Sequence, residues 1–267
     1  MKKLRIAIIQ TKAGPDVDRN MRNLTKLMAS VRVADIIALP EVFSVRGSCE
    51  AYKKAAQPVN GPVIGMVSEL ARRMSAWILA GSIIEKVGRR AYNTSVLLDR
   101  RGKVRATYRK IHLFEAHLES GQHIRESDAY SAGEKPVMAD IEGWSAGLGI
   151  CYDLRFPELF RHYAARGAGL LFLPSNFTQR TGRDHWEVLL RARAIENQCF
   201  IVAPNQCGEN DAIGVASHGH SMCVGPWGEV LCEGGSKEAI LTAELDPALL
   251  MSTRRRIPAL KHMVCFV

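Results

Sequence analysis

Apolar residues along the chain repeat with two different periods, and the change from one to the other marks out the elements. Leu4–Gln10 is a dense apolar run rich in isoleucine, which predicts a buried first strand. Asp16 can then cap a helix whose apolar positions Val17, Met21, Leu24, Met28 and Val31 advance in steps of 4, 3, 4 and 3, one helical face. Ala34–Leu39 reads as a second buried strand stopped by Pro40. Gly61–Met74 follows as a helix with Met66, Leu70 and Met74 on one side. Ile78–Glu85, Tyr92–Leu98 and Val104–Tyr108 alternate as strands, and Gly88 and Gly102 mark antiparallel turns between them.

Residues 111–136 form a long connection rich in His, Glu, Ser and Gly, and a connection of that length in a folded unit usually serves function. Beyond it the pattern predicts strands at Val137–Ile141, Ala146–Ile150, Leu170–Leu173 and Phe200–Ala203, with helices at Pro157–Arg166 and Asp184–Asn197. Short strands near Met222–Val224, Glu229–Cys232 and Ala239–Glu244 come last, and Arg254, Arg255 and Arg256 fall on a C-terminal helix. No repeat or linker divides the chain. The pattern predicts one α/β domain over residues 1–267, with a mixed sheet inside and helices outside.

Composition narrows the function classes. The 267 residues are 47% hydrophobic and 24% charged, ordinary for a globular protein, and this length needs neither disulfide nor metal to hold a core. No apolar stretch approaches the ~20 residues of a membrane helix, and Met1-Lys2-Lys3 leads into a strand, not a signal peptide. The seven cysteines (49, 151, 199, 207, 223, 232 and 265) are odd in number, irregularly spaced and without C-x-x-C. That suits a reducing cytoplasm. A net charge of +9 raises nucleic acid as a partner, but the basic residues are scattered and no RNA-binding or zinc-finger pattern accompanies them, so none is expected.

Three residues share a topological position. Glu41 follows the strand ending at Leu39-Pro40, Lys110 the strand ending at Tyr108, and Cys151 the strand ending at Ile150. Ligands of α/β sheets bind beyond the carboxyl ends of strands, so these side chains can converge. Cys151 lies between small apolar Gly147-Leu148-Gly149-Ile150 and a turn into the helix at Pro157, the setting of an exposed nucleophile. A nearby lysine favours a thiolate, and Glu41 is a candidate base. The structural alternatives are an inert buried thiol and a plain Glu41–Lys110 ion pair. His218, His220 and Cys223 lack a fourth ligand at metal spacing, and neither metal nor cofactor is expected. Of the other histidines, His112 and His117 lie in the long connection.

Taken together, these segments resemble the carbon–nitrogen hydrolase (nitrilase) superfamily over essentially the whole chain. The motifs are Ala38–Glu41, Tyr108–Phe114 and Gly149–Leu159, in that order, with His185–Asn197 and Gly219–Met222 as further matches. The resemblance implies a four-layer α-β-β-α sandwich that pairs into a dimer or larger homo-oligomer. It implies an amidase in which Glu41 is the general base, Cys151 the nucleophile, and Lys110 with the N–H of Tyr152 the oxyanion support. A second glutamate is matched by Glu126, with Glu119 as the competing choice. The omega-amidase and deaminated-glutathione amidase branches lie closest; relatives often carry a small residue where this chain has Asn176. A small carboxamide bearing a carboxylate is the expected substrate. Arg155, four residues after the nucleophile, would clamp the carboxylate, and Phe177 would form an apolar wall. Arg155 could instead pair structurally with Asp153 or Glu158, and Phe177 could be ordinary core. A non-catalytic scaffold on the same fold has no need for all three triad residues.

Overall fold

Every residue of the first strand except Leu4's neighbour Arg5 is buried, so this strand carries apolar side chains on both faces and requires a layer on each side. A computed structural model describes residues 1–117, 123–210 and 214–264 and shows those layers. The first part of the chain runs β1 (Leu4–Gln10), α1 (Val17–Ala29), β2 (Ile36–Ala38), α2 (Cys49–Ala55), α3 (Pro62–Met74), β3 (Trp77–Val87), β4 (Arg90–Leu98) and β5 (Val104–Arg109). Next come β6 (Glu115–His117), β7 (His123–Arg125), β8 (Val137–Ile141), β9 (Trp144–Leu148), α4 (Pro157–Ala165), β10 (Leu170–Phe172), α5 (Gln179–Asn197) and β11 (Phe200–Ala203). The last part is β12 (Cys207–Asn210), β13 (Val215–His218), β14 (Met222–Val224), β15 (Val230–Glu233), β16 (Ala239–Leu245) and α6 (Pro247–Arg256).

Two six-stranded sheets form, ordered β16-β1-β2-β3-β4-β5 and β15-β14-β11-β10-β9-β8. Alternation along β1 and β2 assigns their faces. Ile6, Ile8, Ile36 and Ala38 enter the core shared with Leu148, Phe172 and Val202 of the second sheet. Ala7, Ile9 and Ile37 pack instead against Met21, Leu24 and Met28 of α1 and Val63, Val67 and Leu70 of α3. On the far side, α4 and α5 cover the second sheet with Phe160, Tyr163, Trp186 and Leu190. The order helix, sheet, sheet, helix is the four-layer sandwich.

The pattern of residues predicts a single mixed sheet, and here the structure differs. Strands apolar on both faces do not say which sheet they join, and the passage from β15 to β16 crosses between sheets. Met66 is 44% exposed; the buried face of α3 is Val63, Ile64, Val67, Leu70 and Ala71. The fifth helix begins at Gln179 after a Thr178 cap, five residues before the expected Asp184, because its first turn is polar. Two hairpins, β6–β7 and β12–β13, are short and polar and leave no apolar signal.

The sheets are also pinned at one rim. Glu142 and Gly143 turn β8 into β9 with φ of 54° and 87°, values suited to a two-residue hairpin turn. The Glu142 carboxylate accepts from Trp77 Nε1 at 3.1 Å, Arg100 Nε at 2.5 Å and pairs with Lys2 Nζ at 2.6 Å. Burial alone would raise its pKa, but the bonds from Arg100, Lys2 and Trp77 overcome that and pull it down to about 2. A depressed carboxyl contributes stability that is present above its unfolded pKa and lost as pH falls through the folded value. Replacement E142Q is therefore expected to cost on the order of 2 kcal/mol at pH 7, discounted for partial exposure. The gap between wild-type and E142Q melting temperatures should close as pH drops from about 4.5 towards 2; a gap that is independent of pH would contradict this charge linkage.

Candidate active site

The carboxyl ends of β2, β5, β9 and β10 meet at one end of the sandwich. Glu41 arrives there because the backbone at Leu39-Pro40 presses onto Gly81, where an added Cβ would lie 1.8 Å from Pro40 O. Gly81 has φ of 23° inside a bulge of β3, a conformation and a clearance that only glycine provides. One residue on, Ser82 Oγ accepts the Val42 N–H at 2.9 Å and holds the chain after Glu41. Lys110 is placed by its own N–H, which bonds to Asn93 O of β4 at 2.8 Å.

The three charged side chains interlock. Lys110 Nζ donates to Glu41 Oε1 at 2.9 Å and to Glu126 Oε1 at 2.9 Å. Asn93 Nδ2 donates to the same Glu41 Oε1 at 2.8 Å. Glu41 Oε2 has no hydrogen-bond partner among the described residues, which leaves it available to take a proton. Glu126 is held by the Phe114 N–H, 2.8 Å from its Oε2. Lys110 is 1% exposed and Glu41 3%. Burial would strip the ammonium of its proton, but the carboxylates of Glu126 and Glu41 raise its pKa well above the ordinary lysine value. Burial first, and the Glu41 charge second, raise the pKa of Glu126 despite Lys110.

Cys151 faces this cluster from the second sheet. It has φ of 47°, the left-handed region that a β-carbon disfavours, at the junction between β9 and a 3₁₀ turn over Cys151–Arg155. Its N–H bonds to Pro174 O at 3.0 Å, and its thiol takes the backbone N–H of Asn176. Asp153 holds the elbow from beneath, fully buried: it accepts from Tyr108 Oη at 2.7 Å, from the Ile150 N–H at 2.8 Å and from the His112 N–H at 3.1 Å, with His112 Nδ1 at 2.7 Å. Burial and the Glu41 charge raise the thiol pKa well above the free-cysteine value, against the pull of Lys110. The resting group is the thiol, and a base is required to make it a nucleophile.

Glu41, Glu126 and Cys151 line a cavity of about 260 Å³ together with Asn93, Tyr130, Tyr152, Arg155, Asn176 and Phe177, and Lys110 lies behind its wall. Arg155 donates to His185 Nδ1 at 3.2 and 3.3 Å, and its guanidinium carbon lies 5.7 Å from the Phe177 ring and 6.0 Å from the Tyr152 ring. It pairs with neither Asp153 nor Glu158, the partners that a structural role would supply. Phe177 is both wall and core: it lines the cavity and tilts against Trp186 with ring centroids 4.8 Å apart. Tyr152 sits edge-on to Phe114 at 5.2 Å, and its N–H belongs to the first turn of the 3₁₀ segment, where backbone donors have no partner within the turn.

Glu119 and Cys265 lie outside the described residues. Cys199, Cys207 and Cys223 are buried away from the cluster, whereas Cys49 is exposed at the cavity rim. His220 bonds to Glu233 and stacks on His218, and among the described residues no group of three or more His, Cys, Asp or Glu could hold a metal ion. The sequence reading did not find Asn93 or Asp153. The available signals were a polar residue on an otherwise apolar strand and a carboxylate two residues after Cys151.

The family profile described as carbon-nitrogen hydrolase matches residues 5–255. The chain belongs to the carbon-nitrogen hydrolase family. It is 36% identical over 271 residues to a deaminated glutathione amidase of Synechocystis sp., covering 99% of each chain. It is 37% identical to the chloroplastic omega-amidase of Arabidopsis thaliana, covering 96% of this chain and 71% of that one. The crystal structure of Saccharomyces cerevisiae Nit3, a member of branch 10 of the nitrilase superfamily, superposes with a TM-score of 0.85 at 31% identity, covering 96% of this chain and 95% of that one. As a carbon-nitrogen hydrolase with amidase relatives, the protein is a hydrolase of non-peptide carbon–nitrogen bonds.

In this carbon-nitrogen hydrolase the charges around the thiol make opposite demands on it. E41Q removes a negative neighbour, so the Cys151 pKa should fall and alkylation by iodoacetamide should set in at lower pH. K110M removes the positive neighbour and should move the profile to higher pH. Alkylation rate against pH, with the labelled peptide identified by mass, measures both; shifts in the same direction would contradict this electrostatic account.

Proposed function

We propose that the protein hydrolyses a small carboxamide that also carries a carboxylate, releasing ammonia through an acyl-thioester on Cys151. The observation that carries this reading is the meeting of a strained cysteine elbow with Glu41 and Glu126 in one cavity, both carboxylates held by the buried Lys110. Glu41 Oε2 takes the thiol proton as Sγ attacks the amide carbon. The oxygen that becomes negative is met by Lys110 Nζ and the Tyr152 N–H, the kind of oxyanion support that usually dominates acyl transfer. Glu41 then hands its proton to the departing nitrogen, the C–N bond breaks, and ammonia leaves. A water gives its proton to Glu41 and attacks the thioester, and the thiolate recovers the proton as the acid departs. Glu126 holds the lysine against the loss of its bond to Glu41 during these transfers.

The substrate part of the reading rests on the cavity wall. Arg155 is anchored to His185 through one hydrogen on each terminal nitrogen and stands over Phe177, so its remaining N–H groups are left for a carboxylate. A volume of about 260 Å³ is below the usual range of roughly 300–1,000 Å³ for drug-sized ligands. That favours an omega-amidase-like monoamide over the tripeptide-derived deaminated glutathione, the runner-up. The same reading takes residues 1–267 as one domain, acting without metal or cofactor in the cytoplasm. Exposed Trp227, Ile195 and Ile257 offer an apolar face for a homodimer or larger assembly.

Two sets of variants test the reading. C151A should abolish ammonia release while keeping the melting temperature, and intact-mass spectrometry of wild type with a slow amide should show the acyl adduct. E41Q should fail in both acylation and deacylation. K110A should lose about 10²–10³-fold, mainly in kcat, as expected for removal of an oxyanion donor. E126Q should be milder than E41Q; a silent E126Q beside an inactive E119Q would reassign the second glutamate. Normal turnover in C151A would sink the mechanism. For the clamp, R155K should raise KM for an acidic amide about tenfold, the effect of losing roughly 1.4 kcal/mol. A neutral amide of equal length should be spared. Equal loss on both amides, together with a lower melting temperature, would instead mark Arg155 as structural.

A further inference from the structure

Arg46 is fully buried yet takes no part in the lysine cluster. Its guanidinium reaches Ala13 O at 3.1 Å, Gly208 O at 3.3 Å, Glu209 O at 2.6 Å and Ser217 Oγ at 2.5 Å. A guanidinium only donates. Ser217 Oγ therefore accepts from Arg46, and its one hydroxyl hydrogen goes to Asn176 Oδ1, 2.6 Å away. The two ends of a side-chain amide are interchangeable in shape and are told apart by their partners. In the structure Oδ1 is the end turned to Ser217, and Nδ2 is the other end.

No described residue accepts from Asn176 Nδ2. Asn176 is half-buried and lines the cavity that holds Cys151, and its backbone N–H bonds to the Cys151 thiol. One residue thus touches the nucleophile through its main chain and presents two unspent donors within a side-chain length of it. A donor fixed at a partly desolvated wall rejects a ligand without a matching acceptor more sharply than it rejects one with a small change in apolar shape. Alanine at this position would leave that part of the wall without a donor.

We propose that Asn176 is a specificity-determining residue whose Nδ2 donates to an acceptor oxygen on the substrate's acyl chain, with Arg46 and Ser217 as positioning residues that hold the amide in that orientation. The proposal rests on the reading that the carboxamide binds in the Cys151 cavity. It adds a second recognition point to the Arg155 clamp and selects acyl chains bearing a hydroxyl or carbonyl over plain methylene chains.

Calorimetric binding to full-length C151A tests it without relying on turnover. The ligands are succinamate, 2-hydroxysuccinamate and 3-hydroxysuccinamate. At least one hydroxylated ligand should bind about tenfold or more tightly than succinamate. Adding N176A should bring the ratio to within about twofold, while S217A should lower it and S217T, which keeps the hydroxyl, should restore it. A residue that only supports the fold would weaken all three ligands alike. Equal affinities in C151A, no binding of any ligand, or an unchanged ratio in N176A overturns the proposal; if N176A does not fold, the comparison in C151A decides alone. Ammonia release by C151A is read separately, and its survival would overturn the cysteine reading, not the binding ratio.

Discussion

A lysine ammonium with almost no access to water sets the terms for everything around it. An isolated ammonium in such a place would lose its proton, because desolvation costs several kcal/mol per ion even after relaxation. Lys110 stays charged only because Glu41 and Glu126 both reach it. Those contacts demand that the ends of β2 and β5 and the segment after β7 come within hydrogen-bond reach of one point. Gly81 lets the chain at Pro40 approach, Phe114 fastens Glu126, and Gln206 Nε2 reaches across from the second sheet to Glu41 O at 2.9 Å. The polar cluster is thus a junction between the two sheets as well as a candidate site.

Such a junction is costly. Buried ion pairs are seldom better for stability than well-packed apolar groups, and Cys151 adds an unfavourable backbone angle. The compensation lies between the sheets, where Ile6, Ile8, Leu79, Leu148 and Phe172 are fully or almost fully buried. The carboxyl ends of the strands are the natural place to put strain, because the ladders that hold the strands are already complete behind them. Asp153 shows how close the support comes to Cys151: one carboxylate ties Tyr108 of the first sheet to Ile150 and His112 around the elbow.

Much of this was legible in the residues, for identifiable reasons. Helix α1 announces itself through Asp16 and an apolar step of 3 and 4, and β1 through its unbroken apolar run. Glu41, Lys110 and Cys151 each follow such a run, so strand-end position and chemistry together brought them out. The division into two sheets was not legible from periodicity, since strands apolar on both faces do not name their neighbours; the family resemblance supplied it. Asn93, Asp153 and the Arg46–Ser217–Asn176 chain were missed because each acts through partners far away in sequence, up to 171 residues for Arg46 and Ser217. The Met66 misreading has a simpler cause: helix periodicity locates a stripe, and Val63, Val67 and Leu70 form a better one than Met66 and Met74.

The pairing of β1 with β16 bears on how the chain is made. Seven residue pairs join them, from Leu4 with Leu245 to Gln10 with Ala239, so one of the first strands to leave the ribosome waits for one of the last. Synthesis proceeds at about 5–20 residues per second, so β1 spends on the order of ten to fifty seconds with an unpaired edge. That edge is apolar on both faces, the kind that invites pairing with another chain. Arg5, the one exposed side chain in the strand, is the only charge available on β1 to discourage it. Yield in the cell should therefore depend on chaperone capacity and translation rate more steeply than the finished fold, with that edge covered, would suggest.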